Sequence, residues 1–356
     1  MMLEKLKTRF KFALLSPSKL LTLEKEFGQL SNEDYSSYLT SLRYSNLDFL
    51  HLLLFDELNF SVPSNLMLEF KREKIINEHL KKIAIRLGEN GALENVVCFK
   101  GFLNDELVGH KYYKRRSDID ILIYSDFENS VKKISALLNC ELLKMQNYGE
   151  ISLKTEQGLR IDAHYNLLSS TPFVFKYNLL KNLNSNTYRR NIGNTEINVF
   201  NLEFTIIYQI IHFAIQHSFS EFILLFEIAE LIKNHHEKID IDYFIGLIET
   251  HKVELPVCLV FQILEDKVEH SFFKNERING IIRSNEQKLI SAKTKIEKNL
   301  FTVEIEINLN LNRILSENLR NVALNYLRTI YLYSLRLTYI FRRRSIRRLV
   351  HKNDRS

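Results

Sequence analysis

Tryptophan is absent from this 356-residue chain, and glycine, proline and cysteine are sparse at 10, 4 and 3 residues. So little glycine and proline excludes long flexible linkers and disfavours a turn-rich all-β fold. Cys98, Cys140 and Cys258 show no paired spacing. That argues against a disulfide framework or a zinc site and suits a reducing compartment, with the cytoplasm expected. No run of 18 uncharged apolar residues occurs, so no transmembrane helix is expected. The N-terminal MMLEKLKTRFKFALLSPSK is basic but broken by charge, unlike a secretory leader. Excess charge is missing from most of the chain as well. The formal net charge is +6, but residues 341–356 hold seven Lys or Arg and one acid, which accounts for all of it. A globally basic nucleic-acid binder would not look like this.

What is present is an ordinary globular composition, 45% hydrophobic and 26% charged, long enough for two domains or one large one. Residues 1–94 read as a helical region. It ends in an amphipathic helix that starts near Ser64-Asn65-Leu66 and stops near Gly88 or Gly91. Leu68, Ile75, Ile76, Leu80, Ile83, Ala84 and Leu87 keep a 3.6-residue period along it. Residues 95–200 read as a small α/β core with a mixed sheet. Strands are expected at 95–99, 118–124, 141–145, 149–155 and 159–165, helices at 102–112 and 126–138, and a hairpin turn at Gln157-Gly158. Residues 201–340 turn helical again, although FTVEIEINLNLN at 301–312 alternates like a strand. Residues 341–356 form the basic tail. The expected class is therefore α+β, a small mixed-sheet core flanked by N-terminal and C-terminal helical regions.

The informative stretch is FKGFLNDELVGHKYYKRRSDIDILI, answered by RIDAHYNL further on. Strand alternation puts Asp118 and Asp120 on one face and Ile119, Ile121 and Ile123 on the other. Asp162 repeats the arrangement on a second strand. Three carboxylates on neighbouring strands make a donor set for hard divalent cations, Mg²⁺ or Mn²⁺. Two such ions can neutralise a triphosphate and activate an acceptor oxygen. In that scheme Asp118, Asp120 and Asp162 are the metal ligands, and Asp162 accepts the acceptor's proton. Gly101 allows close backbone approach to a phosphate. Lys100, Arg115 and Arg116 are candidates for the β- and γ-phosphates, with Ser117 beside them. His164 shares the face of Asp162. By itself a D-x-D pair on a strand is commonly a solvated surface feature, and Lys-Gly a surface turn; the order of the elements carries the argument.

These motifs resemble the bacterial uncharacterised nucleotidyltransferase family, a branch of the polymerase β-like nucleotidyltransferase superfamily. The resemblance covers roughly residues 65–270. It implies an NTP- and metal-dependent enzyme in which Lys100, Gly101, Arg115 or Arg116, Asp118, Asp120, Asp162 and His164 occupy the motif positions. Gly101-Phe102 replaces the Gly-Ser of the wider superfamily, and Tyr165 stands where a Trp is more usual. The implied reaction moves an NMP from an NTP to a hydroxyl-bearing acceptor: a small molecule, tRNA or a protein. A toxin or abortive-infection nucleotidyltransferase and a non-catalytic nucleotide-sensing scaffold are the alternatives. His212 and His217, five residues apart, are not expected to share a helix face. His235-His236 is expected in an exposed turn without a role. The tail YIFRRRSIRRLVHK fits either a solvated helix end or a contact with a polyanion or an anionic membrane surface, which would make the protein membrane-peripheral.

Overall fold

The computed structural model describes residues 2–16, 19–55, 62–110, 113–116, 118–146, 150–168, 179–217, 219–268, 270–284 and 286–301. Ser117, the basic tail at 341–356 and all but the first residue of the strand-like stretch 301–312 lie outside the described residues.

Helices come first: α1 (Met2–Leu15), α2 (Leu20–Phe27), α3 (Asn32–Arg43), α4 (Asp48–Leu54) and α5 (Ser64–Glu89). Then follow β1 (Val96–Phe99), α6 (Phe102–Val108), β2 (Asp118–Ile123), α7 (Phe127–Leu138), β3 (Glu141–Gln146), β4 (Glu150–Lys154), β5 (Arg160–His164), β6 (Thr187–Ile192) and β7 (Thr195–Phe200). The chain then returns to helix: α8 (Leu202–Ile211), α9 (Phe222–His235), α10 (Ile241–His251), α11 (Glu254–Glu265), α12 (Glu276–Arg283) and α13 (Glu286–Phe301). The class is α+β, as the residue pattern predicts. Among the described residues no helix is long and apolar enough to cross a membrane.

Two compact units emerge. One comprises Met1–Lys74, Asp105–Arg115 and the described residues from Ile206; the other comprises Ile75–Asn104 and Arg116–Thr205. The boundaries expected at 94/95 and 200/201 therefore differ from those of the packed units. The N-terminal and C-terminal helices share one unit, and residues 105–115 join it because their side chains bond to it. Tyr113 donates to Glu227 and Arg115 to Asp48.

The second unit is built on one mixed sheet in the order β3-β4-β5-β2-β1-β7-β6. β2 runs parallel to β5 and β1 parallel to β7, while the remaining neighbours are antiparallel. One face is apolar because alternation sends Val96, Cys98, Ile119, Ile121, Ile151, Leu153, Ile161 and Ala163 to the same side. Leu80, Ile83, Ala84 and Leu87 of α5 and Val131, Ile134 and Leu138 of α7 cover it. Each fully buried aliphatic side chain contributes about 1.5–3 kcal/mol, which fixes the register of the strands. A one-residue slip would turn the isoleucines of β2 outward and the aspartates into the core. The opposite face is thereby left for the charged residues.

The expected helix at 102–112 is shorter than its pattern. It stops at Val108, where Gly109 turns left-handed at φ +81. The β6–β7 hairpin is an addition the sequence reading lacks. Its two-residue turn Gly193-Asn194 closes the Ile192–Thr195 pair with Gly193 at φ +60.

Candidate active site

β1 ends at Phe99, and the next two residues, Lys100 and Gly101, both take left-handed backbone at φ +59. This turn throws the chain away from the sheet and into α6. A Cβ on Gly101 would meet the Asp118 carbonyl oxygen only at 3.5 Å, so glycine is favoured there by φ, not by space. Lys100 carries the same strain without that excuse, a cost of order 1 kcal/mol at a spot where its Nζ is aimed at a carboxylate. It lies 3.8 Å from Asp120 Oδ1.

The strand register sets the rest. In the parallel β2–β5 pair, Asp118 faces Arg160, Asp120 faces Asp162 and Leu122 faces His164. On the other side of β5, β4 brings Ser152 opposite Asp162 and Glu150 opposite His164. Asp118, Asp120, Asp162 and His164 thus stand on one face, joined by three residues the sequence reading passed over: Arg160, Ser152 and Glu150. Arg160 was open to detection, since Arg160, Asp162 and His164 alternate on one strand. Ser152 and Glu150 become visible only when residues are counted back across the Gln157-Gly158 turn.

The bonds on this face form a closed set. Arg160 Nη2 donates to Asp118 Oδ2 and lies 3.1 Å from Asp162 Oδ2. Ser152 Oγ donates to Asp162 Oδ1 at 2.6 Å. His164 Nε2 meets Asp120 Oδ1 at 3.0 Å, while its Nδ1 lies 3.8 Å from Glu150 Oε2. Burial alone would raise both inner carboxyls, and their fates part because their neighbours differ. At Asp120, burial is outweighed by Lys100, His164 and Arg160, which pull the carboxyl down to about 2. At Asp162, burial wins over the Ser152 hydrogen bond, and Asp120 adds repulsion, pushing the carboxyl up to about 6.

Other expected residues lie differently. Arg115 does not offer its charge to a phosphate: its guanidinium grips both oxygens of Asp48 at 2.8 and 2.6 Å, touches Glu69 at 3.2 Å and stacks on Phe49. Arg116 is buried at 6% exposure, a poor position for meeting a solvated triphosphate. His212 and His217 are brought together, contrary to the helical-period argument. Residues 212–216 form a π-helical turn, with His217 N donating to His212 O at 3.2 Å, and the two Nε2 atoms lie 3.3 Å apart. His235 is not incidental either, because its Nε2 bonds the Leu107 carbonyl at 2.8 Å.

The donor chemistry of the acidic face fits a hard divalent cation, since three carboxylates offer only oxygen. Among the described residues, however, no three His, Cys, Asp or Glu side chains are grouped to hold a metal ion as they stand. The Arg160 guanidinium takes the bridging position between Asp118 and Asp162, a positive charge where the acids require one. An ion held by these acids would have to displace it.

Comparison with known proteins agrees with the motifs. Residues 64–266, more than half of the chain, match the model of the uncharacterised nucleotidyltransferase family. No curated protein matches the chain. A solved structure, an antigenic nucleotidyltransferase-like protein from Paracoccidioides brasiliensis, shows 14% identity over 56% of this chain and 97% of that one, at a TM-score of 0.33. On the strength of the family match and of the motifs inside it, the chain belongs to the uncharacterised nucleotidyltransferase family.

Proposed function

We propose that this chain transfers a nucleoside monophosphate from an NTP to a hydroxyl-bearing acceptor, with release of pyrophosphate and with Mg²⁺ or Mn²⁺ as cofactor. The observation that carries the reading is the β2–β5 register, which sets Asp162 directly opposite Asp120 and two residues from the level of Asp118. Asp118 and Asp120 would hold the ion that accompanies the triphosphate, and Asp120 with Asp162 the second. Such ions neutralise the phosphate oxygens and make the acceptor oxygen a better nucleophile.

The chain's own groups have separate tasks. Lys100 Nζ, already beside Asp120, supplies a positive charge to the triphosphate. The acceptor oxygen attacks the α-phosphorus, its proton passes to Asp162, and the bond to the β-phosphate oxygen breaks as pyrophosphate leaves. Asp162 suits the proton because the register sets it on the acid face directly opposite Asp120. Ser152 and His164 act as positioning residues, fixing one oxygen each of Asp162 and Asp120.

The test is pyrophosphate release by the purified protein with each NTP and Mg²⁺, compared with an Asp118→Ala/Asp120→Ala variant. Release that depends on NTP and on both acids supports the reading; equal release by the variant overturns it. A second reading, nucleotide binding without turnover, is favoured by the Arg160 bridge across Asp118 and Asp162. It predicts a thermal shift with NTP that needs no Mg²⁺, and no pyrophosphate.

A further inference from the structure

On the apolar side of the sheet, away from the carboxylates, a cleft of about 230 Å³ opens among α5, the end of α7 and the β4–β5 turn. Ile83, Leu138 and Leu159, all part of the core, supply its apolar lining. His79, Lys82 and Arg86 supply the rest, together with Gln157. The three basic residues follow one another along α5 at steps of three and four, so they share a face. Among the described residues none of their side chains has an ion-pair or hydrogen-bond partner. The bond that Asn90 makes to Arg86 reaches only its backbone carbonyl. No described acid lines the cleft, and Glu156, next to Gln157 in the chain, is taken up by Asn139.

Arg115, Lys114 and Arg160 are each matched by carboxylates. His79, Lys82 and Arg86 are exposed on one face of α5, and three basic groups around an apolar hollow complement an anion with more than one negative charge. A phosphate monoester meets that need, since a guanidinium fork and an ammonium can each take phosphate oxygens. The volume lies below the roughly 300–1,000 Å³ typical of pockets for drug-sized ligands, so the body attached to the phosphate must be short. We propose that the cleft lined by His79, Lys82, Arg86 and Gln157 binds the phosphate group of a small phosphomonoester, as a site separate from the carboxylate face.

Ribose 5-phosphate serves as the probe, with ribose, inorganic phosphate and sodium chloride at matched ionic strength beside it. The readout is the ring carbon–proton signal of His79 in the full-length protein without divalent cations, assigned with His79→Gln. Ribose 5-phosphate should shift that signal saturably, and ribose should not. Lys82→Gln/Arg86→Gln should raise the half-saturating concentration at least tenfold, with a circular dichroism spectrum like that of the wild type. An equal response to inorganic phosphate also supports a phosphate site, with the sugar contributing nothing. A shift no larger than that caused by sodium chloride, or equal binding by the double variant, overturns the proposal. Asp120→Asn should leave the response intact, so failure here and failure of the transfer reaction are read separately.

Discussion

Asp48 and Glu227, in the helical unit, are buried against different cations, although Arg115 also touches the more exposed Glu69, whereas Asp118, Asp120 and Asp162, in the sheet unit, stand on one sheet face and two of them share Arg160. Asp48 is gripped at both oxygens by Arg115. Glu227 accepts from the Tyr113 hydroxyl at 2.6 Å and pairs with Lys114. Each of these two buried charges has a fitted partner, which is how a fold tolerates a carboxylate in its interior. On the sheet face Arg160 serves two acids at once and His164 and Lys100 both crowd one oxygen of Asp120. Asp162 is the least exposed of the three, and burial raises its carboxyl while that of Asp120 falls. Buried charges gripped by a fitted cation hold a structure together. Charges crowded beyond their partners hold a vacancy of free energy that an incoming cation relieves, and such imbalance marks working sites.

The largest expected effect tests the crowded group. Removing Asp118 and Asp120 together takes away several kcal/mol of transition-state stabilisation, so pyrophosphate release should drop by about a thousandfold or more. The same variant relieves the repulsion on Asp162 but takes partners from Lys100, His164 and Arg160, so its fold is checked by circular dichroism; a variant that fails to fold would place these acids with the structural kind. Next comes the matched group. Arg115→Ala strands the fully buried Asp48, and denaturant titration should show a loss of about 3–5 kcal/mol. A loss below 1 kcal/mol would erase the distinction.

A third, smaller effect is read in pH. The Asp162 carboxyl sits at about 6 in the folded protein against an ordinary 3.8. Below about pH 4 it is protonated folded or unfolded and costs nothing. Above pH 6 the folded protein carries a poorly solvated anion. Stability should therefore fall by roughly 3 kcal/mol or less as pH rises from about 4 to 6. Asp120 has the opposite sign, and its contribution, present above about pH 4, is lost as pH falls through about 2. Asp162→Asn should flatten the fall between pH 4 and 6, and saturating Mg²⁺ should flatten it in the wild type. An unchanged slope in the variant would break the comparison. The smallest effect is at the surface. Arg189 and Glu196 pair at 3.2 Å with side chains 75% and 57% exposed, so Arg189→Ala should change stability by less than about 0.5 kcal/mol.

Much of the sheet unit was legible in the sequence because its signals are local. Alternation in DIDILI and RIDAH, the Gln157-Gly158 turn and the heptad-like spacing along α5 each act over a few residues. The placement of Asp162 beside Asp120 needed only that two strands be neighbours. What escaped depends on contacts between distant segments. Arg115 reads like a phosphate ligand until Asp48, 67 residues away, takes its guanidinium. Lys114, in the same basic run, is spent on Glu227. The β6–β7 hairpin carries a Gly-Asn turn signal, but Tyr188, Arg189 and Arg190 present polar groups to solvent and blur the alternation. The division into two units crosses the chain several times, and no composition shift marks it.

The π-turn at His212–Gln216 bears on how this chain tolerates change in length. Five residues of ordinary α-helix would leave the two imidazoles about 140° apart around the axis. The wider turn takes up the surplus residue at the C-terminal end of α8 and brings His217 back over His212. Deleting Gln216, the one residue of the turn after His212 that lies outside the core, would let the turn revert to α-helix with the histidines still adjacent, four apart. The end of α8 can there give up Gln216 and keep the contact between the two imidazoles.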